Sequence, residues 1–97
     1  MSWELEYASR VKKQLKNIDN KYTIRRIRDS VRRLEDNPKS APLLSGTSKP
    51  TRSLRFGTPD GEYRTVYVLV EEDKTVYIFH LEKRESDYED LHRKYDL

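Results

Sequence analysis

The chain has 97 residues, enough for one domain around a single modest core. It carries 38% charged and 34% hydrophobic residues, a net charge of +3 and no cysteine, which excludes a disulfide framework and a thiolate metal site. No apolar run approaches a membrane span and no signal-peptide pattern opens the chain, so a single cytoplasmic domain over 1–97 is expected, with no metal or cofactor implied.

Trp3-Glu4-Leu5-Glu6-Tyr7 alternates apolar and charged residues, the period of a half-buried strand. Ala8, Val11, Leu15 and Ile18 then recur at helical spacing. Asn17 to Asn20 interrupts that stripe, and Asp19 or Asn20 can cap a second helix. Ile24, Ile27, Val31 and Leu34 form a second stripe, ended by Asn37-Pro38 because the residue before proline is disfavoured in the α region. The two stripes predict a helical hairpin lying on one face of a sheet. Residues 10–33 hold ten basic and two acidic residues, so this half of the chain favours a polyanion.

Residues 38–51 contain three of the four prolines and read as a loop. Strand character returns at Arg52 to Phe56, and Thr58-Pro59-Asp60-Gly61 is strong turn chemistry. Tyr63 to Val70 is the longest β-like run; Glu71 to Lys74 turns it into Thr75 to Leu81. Glu85 to Lys94 reads as a short terminal helix. The fold class expected is α+β in the order β-α-α-β-β-β-α: a helical hairpin packed on a small, twisted, mostly antiparallel sheet, with a short C-terminal helix. The partner of the first strand is not readable from these patterns.

An arginine within the second-last strand (Arg64), another after the last strand (Arg84) and a tyrosine four residues on (Tyr88) are the residues with chemistry to offer. Arginine binds phosphate bidentately without losing its charge, so guanidinium groups near a phenol suit an RNA phosphodiester. The same residues also fit a cross-strand ion pair and a core tyrosine. Arg25, Arg28 and Arg32 form a basic helical stripe that suits either solvent or RNA phosphates.

In this order and spacing, several fragments resemble the RelE/ParE toxin superfamily. They are Leu34-Glu35-Asp36-Asn37-Pro38, Leu44-Ser45-Gly46, Leu54-Arg55-Phe56-Gly57, Glu62-Tyr63-Arg64-Thr65-Val66-Tyr67 and Lys83-Arg84-Glu85-Ser86-Asp87-Tyr88. RelE-like members are endoribonucleases that cut mRNA in the ribosomal A site; ParE-like members poison DNA gyrase and generally lack the RNase residues. The resemblance implies Arg64, Arg84 and Tyr88 as the catalytic set, with Arg52 and Arg55 as the basic residues of the preceding strand; by their charge Lys83 and the helical stripe Arg25, Arg28 and Arg32 are also expected to contact RNA. It also implies an antitoxin as partner, beside the ribosome and mRNA, and the basic surface of the chain suggests that this antitoxin is acidic. The chain departs from many relatives in having arginines rather than lysines on the strand before Arg64, and Lys83 where a histidine precedes the late arginine. The RelE-like reading is therefore a toxin that cleaves ribosome-bound mRNA and inhibits translation. The alternatives are a non-catalytic gyrase inhibitor and an inactive relative serving as a binding module.

RNA cleavage by its own 2′-hydroxyl needs a base, an acid for the leaving oxygen and charge for the transition state. The chain has only two histidines, His80 within a strand pattern and His92 in the terminal helical pattern. Tyr88 is then the expected base: nearby arginines favour its phenolate and lower a pKa that is ordinarily about 10. Arginine is too weak an acid to give up a proton, so Arg64 and Arg84 are expected to hold phosphate and stabilise charge.

Overall fold

The computed structural model describes residues 2–84. Strand β1 (Glu4–Tyr7) leads into helix α1 (Ser9–Lys16) and helix α2 (Lys21–Arg32), followed by strands β2 (Arg52–Thr58), β3 (Gly61–Val70) and β4 (Thr75–Lys83). The sheet order is β1-β4-β3-β2. The meander β2-β3-β4 is antiparallel, and β1 lies parallel to β4, from Glu4 opposite Thr75 to Tyr7 opposite Ile78. The predicted terminal helix over 85–94, with Tyr88 and His92, lies outside the described residues.

Both helices form where the apolar spacing predicts. Lys13 and Lys16 occupy the last turn of α1, where positive charge complements the helix dipole. Of the two caps offered for α2, Asn20 serves: its side-chain oxygen accepts from the Tyr22 N–H at 2.9 Å. The second stripe differs at its end, because Leu34 sits on a 3-10 turn (Arg33–Glu35) rather than on the α-helix. That tighter turn still buries Leu34, and the Glu35 carbonyl accepts from the Trp3 N–H at 2.7 Å, tying the helix end to the start of β1.

Val11, Leu15, Ile27, Val31 and Leu34 pack against Phe56, Tyr67, Val76, Ile78 and Leu81. The helical layer thus covers one sheet face, and Gln14 of α1 donates to the Leu81 carbonyl at 2.7 Å. The loop after the helices folds back along the outer edge of β2: Leu44 N–H donates to the Thr51 carbonyl and Ser53 N–H to the Pro42 carbonyl. Part of an otherwise open sheet edge is thereby paired. Between β2 and β3, Gly61 takes φ +120°, a conformation that favours glycine. Asp60 in the same turn accepts from Thr23 of α2 at 2.8 Å.

The loop is also anchored by Tyr67, fully buried, whose hydroxyl donates to the Pro38 carbonyl at 2.7 Å. Burial raises its pKa above the ordinary phenol value, against a smaller opposing pull from the Ala41 backbone and Arg52. A raised folded-state pKa gives stability that is complete below the unfolded phenol's pKa, about 10, and that disappears as pH rises through the folded value. Wild-type urea midpoints are therefore expected to drop between pH 8 and pH 11. Tyr67→Phe should be less stable at pH 8 by about 1–3 kcal/mol, since it orphans a carbonyl, and should show a shallower alkaline fall. Parallel falls in the two proteins would mean that Tyr67 contributes nothing to the alkaline limb.

Candidate phosphate-binding site

The sheet face turned away from the helices is where the strand arginines meet. Leu54, Phe56, Tyr63 and Tyr67 pack toward the helices, so alternation sends Ser53, Arg55, Arg64 and Val66 to the opposite face. There the register forms rows across three strands. Ser53, Val66 and His80 make one row; Arg55, Arg64 and Glu82 make the next. Gly57 and Glu62 continue into a third, where the Arg84 N–H donates to the Glu62 carbonyl at 2.8 Å, one step past the end of β4.

His80 and Glu82 reach this face because β4 contains a bulge. Tyr67 pairs with Ile78 while the adjacent Val66 pairs with His80, leaving Phe79 as an extra residue. Unbroken alternation from Ile78 would turn His80 and Glu82 toward the helices. The extra residue reverses the parity, sends Leu81 into the core and turns His80 and Glu82 outward. Phe79 itself stacks with Tyr77, ring centroids 6.5 Å apart.

Arg64 is 5% exposed. Its Nε and Nη2 both meet Oε1 of Glu82, and Oε2 of the same carboxylate lies 3.2 Å from Nε2 of His80, also buried. Burial pulls the Arg64 pKa below its usual value; Glu82 opposes this, and the positive Arg55 across the strand pair reinforces it. Two guanidinium groups directly opposite on one face repel each other, and an anion between them relieves that repulsion. Arg55 is exposed and Arg64 lies beneath the surface. Beside Arg55, the 40–45 loop and Ser53, Leu54 and Arg55 line an open cleft of about 710 Å³, within the size range of small-ligand sites.

Arg84 stands at the corner of the same face with its Nη1 3.4 Å from Glu62 Oε1, both side chains well exposed. Such a surface pair holds the guanidinium by less than about 1 kcal/mol, so a phosphate can compete for it. The other basic residues singled out in the sequence are not brought here. Arg52 faces the helical side and donates to the Lys39 and Ala41 carbonyls at 3.1 and 2.6 Å, holding the loop. Lys83 pairs with Tyr63, on the parity opposite to Arg64, and its Cε lies 3.2 Å from where a Cβ on Gly61 would stand. Arg25, Arg28 and Arg32 are exposed on α2, in the layer covering the other side of the sheet. Glu82 is the site residue that sequence reasoning missed. The usable signal was the three-residue step from Ile78 to Leu81, which breaks the two-residue period of a strand. Among the described residues no group of three or more His, Cys, Asp or Glu is placed to hold a metal ion, and no helix is long and apolar enough to cross a membrane.

The model of the ParE toxins of type II toxin–antitoxin systems, parDE, matches residues 5–88. The chain belongs to the RelE/ParE toxin superfamily. A search of the curated proteins returns no match. Among solved structures, this superfamily member is similar to a double mutant of the E. coli toxin RelE in the free state, with a TM-score of 0.75 and 17% identity over 98% of this chain and 99% of that one. It is also similar to the archaeal RelE–RelB complex from Pyrococcus horikoshii OT3, at TM-score 0.66 and 25% identity over 90% and 100% of the two chains. The intact E. coli RelBE toxin–antitoxin complex gives 0.68 and 15% over 88% and 100%. This superfamily toxin thus matches a ParE sequence model and has a RelE-like fold, an α+β arrangement of two helices on a four-stranded mixed sheet.

Proposed function

We propose that this toxin is a ribosome-dependent endoribonuclease that cleaves mRNA in the A site and so stops translation. The observation that carries the reading is the cross-strand pairing of Arg55 with Arg64, with Arg84 at the corner of the same face. Three guanidinium groups around one patch suit the phosphodiester of RNA, and the cleft beside Arg55 has room for the adjoining nucleotide. Arg55 meets the phosphate, Arg64 lends its charge from beneath, and Arg84 stabilises the leaving 5′-oxygen. Tyr88 takes the proton from the 2′-hydroxyl, which then attacks phosphorus as the P–O5′ bond breaks; the departing 5′-oxygen takes a proton from water, leaving a 2′,3′-cyclic phosphate and a 5′-hydroxyl. These groups are modest catalysts, and alignment of the mRNA by the ribosome supplies the positioning that a small enzyme lacks.

The exposed arginines of α2 lie on the other side of the sheet from this patch, so their contribution is to ribosomal RNA or to a partner rather than to the scissile nucleotide. That partner is an acidic antitoxin, a reading supported by the RelB complexes of the E. coli and P. horikoshii relatives. The site of action is the cytoplasm, where translating ribosomes are.

The ParE family model favours a second reading, inhibition of DNA gyrase without cleavage. Purified translation with the mRNA ends mapped, run beside a gyrase supercoiling assay, separates the two. Cuts within codons that require ribosomes are expected. Intact mRNA together with blocked supercoiling would replace this proposal with the gyrase reading.

A further inference from the structure

We propose that Glu82 is the positioning residue of this site: it fixes Arg64 from the β4 side so that the charges of Arg64 and Arg55 converge on one phosphate. The inference rests on the RNA-cleaving reading for its consequence, but its geometry stands alone. Within the row Arg55–Arg64–Glu82, Arg64 has a like charge on one flank and a carboxylate on the other. Left to itself, a long arginine side chain would sample many rotamers. Glu82 prevents this by taking the Nε and Nη2 side of the guanidinium on the flank away from Arg55, which fixes its plane and holds its charge in one buried position on the face the two arginines share. The second carboxylate oxygen rests on His80, so the carboxylate is itself braced. All three side chains are largely withdrawn from solvent, where such contacts are strong and geometry is kept. A bulge one residue before His80 is what delivers both braces to this face, and bulges recur beside active sites because they re-aim side chains.

Glu82→Gln tests this, since it keeps the size and one acceptor oxygen but removes the charge. On saturating ribosomes, single-turnover cleavage is expected to fall about 10- to 100-fold, the scale of a misplaced group, while ribosome affinity stays within about twofold. In the isolated protein, inorganic phosphate should shift the Nε–H resonances of Arg55 and Arg64, and Glu82→Gln should weaken that binding about tenfold. His80→Gln removes only the outer brace and should lose about threefold in both measurements; it carries the test if Glu82→Gln fails to fold. A Glu82→Gln protein that cleaves and binds phosphate like wild type overturns the assignment. A faster variant overturns it too, because Glu82 would then be an internal anion blocking the site. If the wild type cuts no ribosome-bound mRNA, the endoribonuclease reading falls, and the phosphate titration alone decides the role of Glu82.

Discussion

Arg55→Ala is expected to lose about 10²–10³-fold in single-turnover mRNA cleavage, the scale of one preorganised charge, with its melting temperature unchanged. Arg64→Ala is expected to lose both activity and fold stability. The difference comes from their surroundings. Arg55 is exposed, and surface substitutions away from special features stay within about 0.5 kcal/mol. Arg64 neutralises a carboxylate that is itself mostly buried. Removing one partner of such a pair leaves an uncompensated charge and destabilises by about 3–5 kcal/mol. For a domain of this size that corresponds to a fall in melting temperature of more than about 12 °C. The double change Arg64→Met with Glu82→Leu removes both charges and should recover most of the stability while remaining unable to cleave. Thermal melts and cleavage on saturated ribosomes, measured on the same preparations, check both halves. Wild-type cleavage by Arg55→Ala would remove the exposed arginine from the phosphate site.

The second large effect concerns the proposed base. Tyr88→Phe deletes one hydroxyl four residues beyond Arg84 and is expected to slow the chemical step by about 10²–10⁴-fold, the usual contribution of an acid–base group. Ribosome binding and thermal stability should not move. A free phenol titrates at about 10, so a rate carried by the Tyr88 phenolate should climb with pH as the phenolate fraction grows. In Tyr88→Phe that slope should vanish along with most of the rate. If the variant instead retains the wild-type rate and slope, proton transfer belongs to another group, with His80 or His92 the next to replace.

Most of the architecture was legible because it is periodic. Two stripes at helical spacing located both helices, and the turn at Thr58 to Gly61 located the β2–β3 hairpin. The partner of β1 was not legible, since pairing with β4 rather than with β2, the other edge of the meander, leaves no local mark on Trp3 to Tyr7. The site was legible in part. Arg55 and Arg64 stand together because both strands alternate regularly up to the hairpin. Lys83 was grouped with Arg84 by adjacency in sequence, yet neighbours on a strand face opposite ways, and Lys83 follows Tyr63 rather than Arg64. Arg52 offers the same charge as Arg55 but spends its donors on loop carbonyls, a use that only the folded loop reveals. Glu82 was invisible to any reading that assumed an unbroken strand, because the bulge at Phe79 decides which side it faces.

The pairing of β1 with β4 has a kinetic consequence. Glu4 and Thr75 stand opposite each other although 71 positions separate them (75 − 4). The β2-β3-β4 meander can zip locally through short turns, whereas β1 has no strand to join until β4 exists. Helix α1 waits with it, because Val11 and Leu15 find Ile78 and Leu81 in the shared core and Gln14 finds the Leu81 carbonyl only then. Closing so long a loop before its contacts form is the slow kind of folding step. The N-terminal segment is therefore expected to dock last. During synthesis β1 has no strand to pair with until β4 has been made, so its ladder groups stay unpaired for that interval.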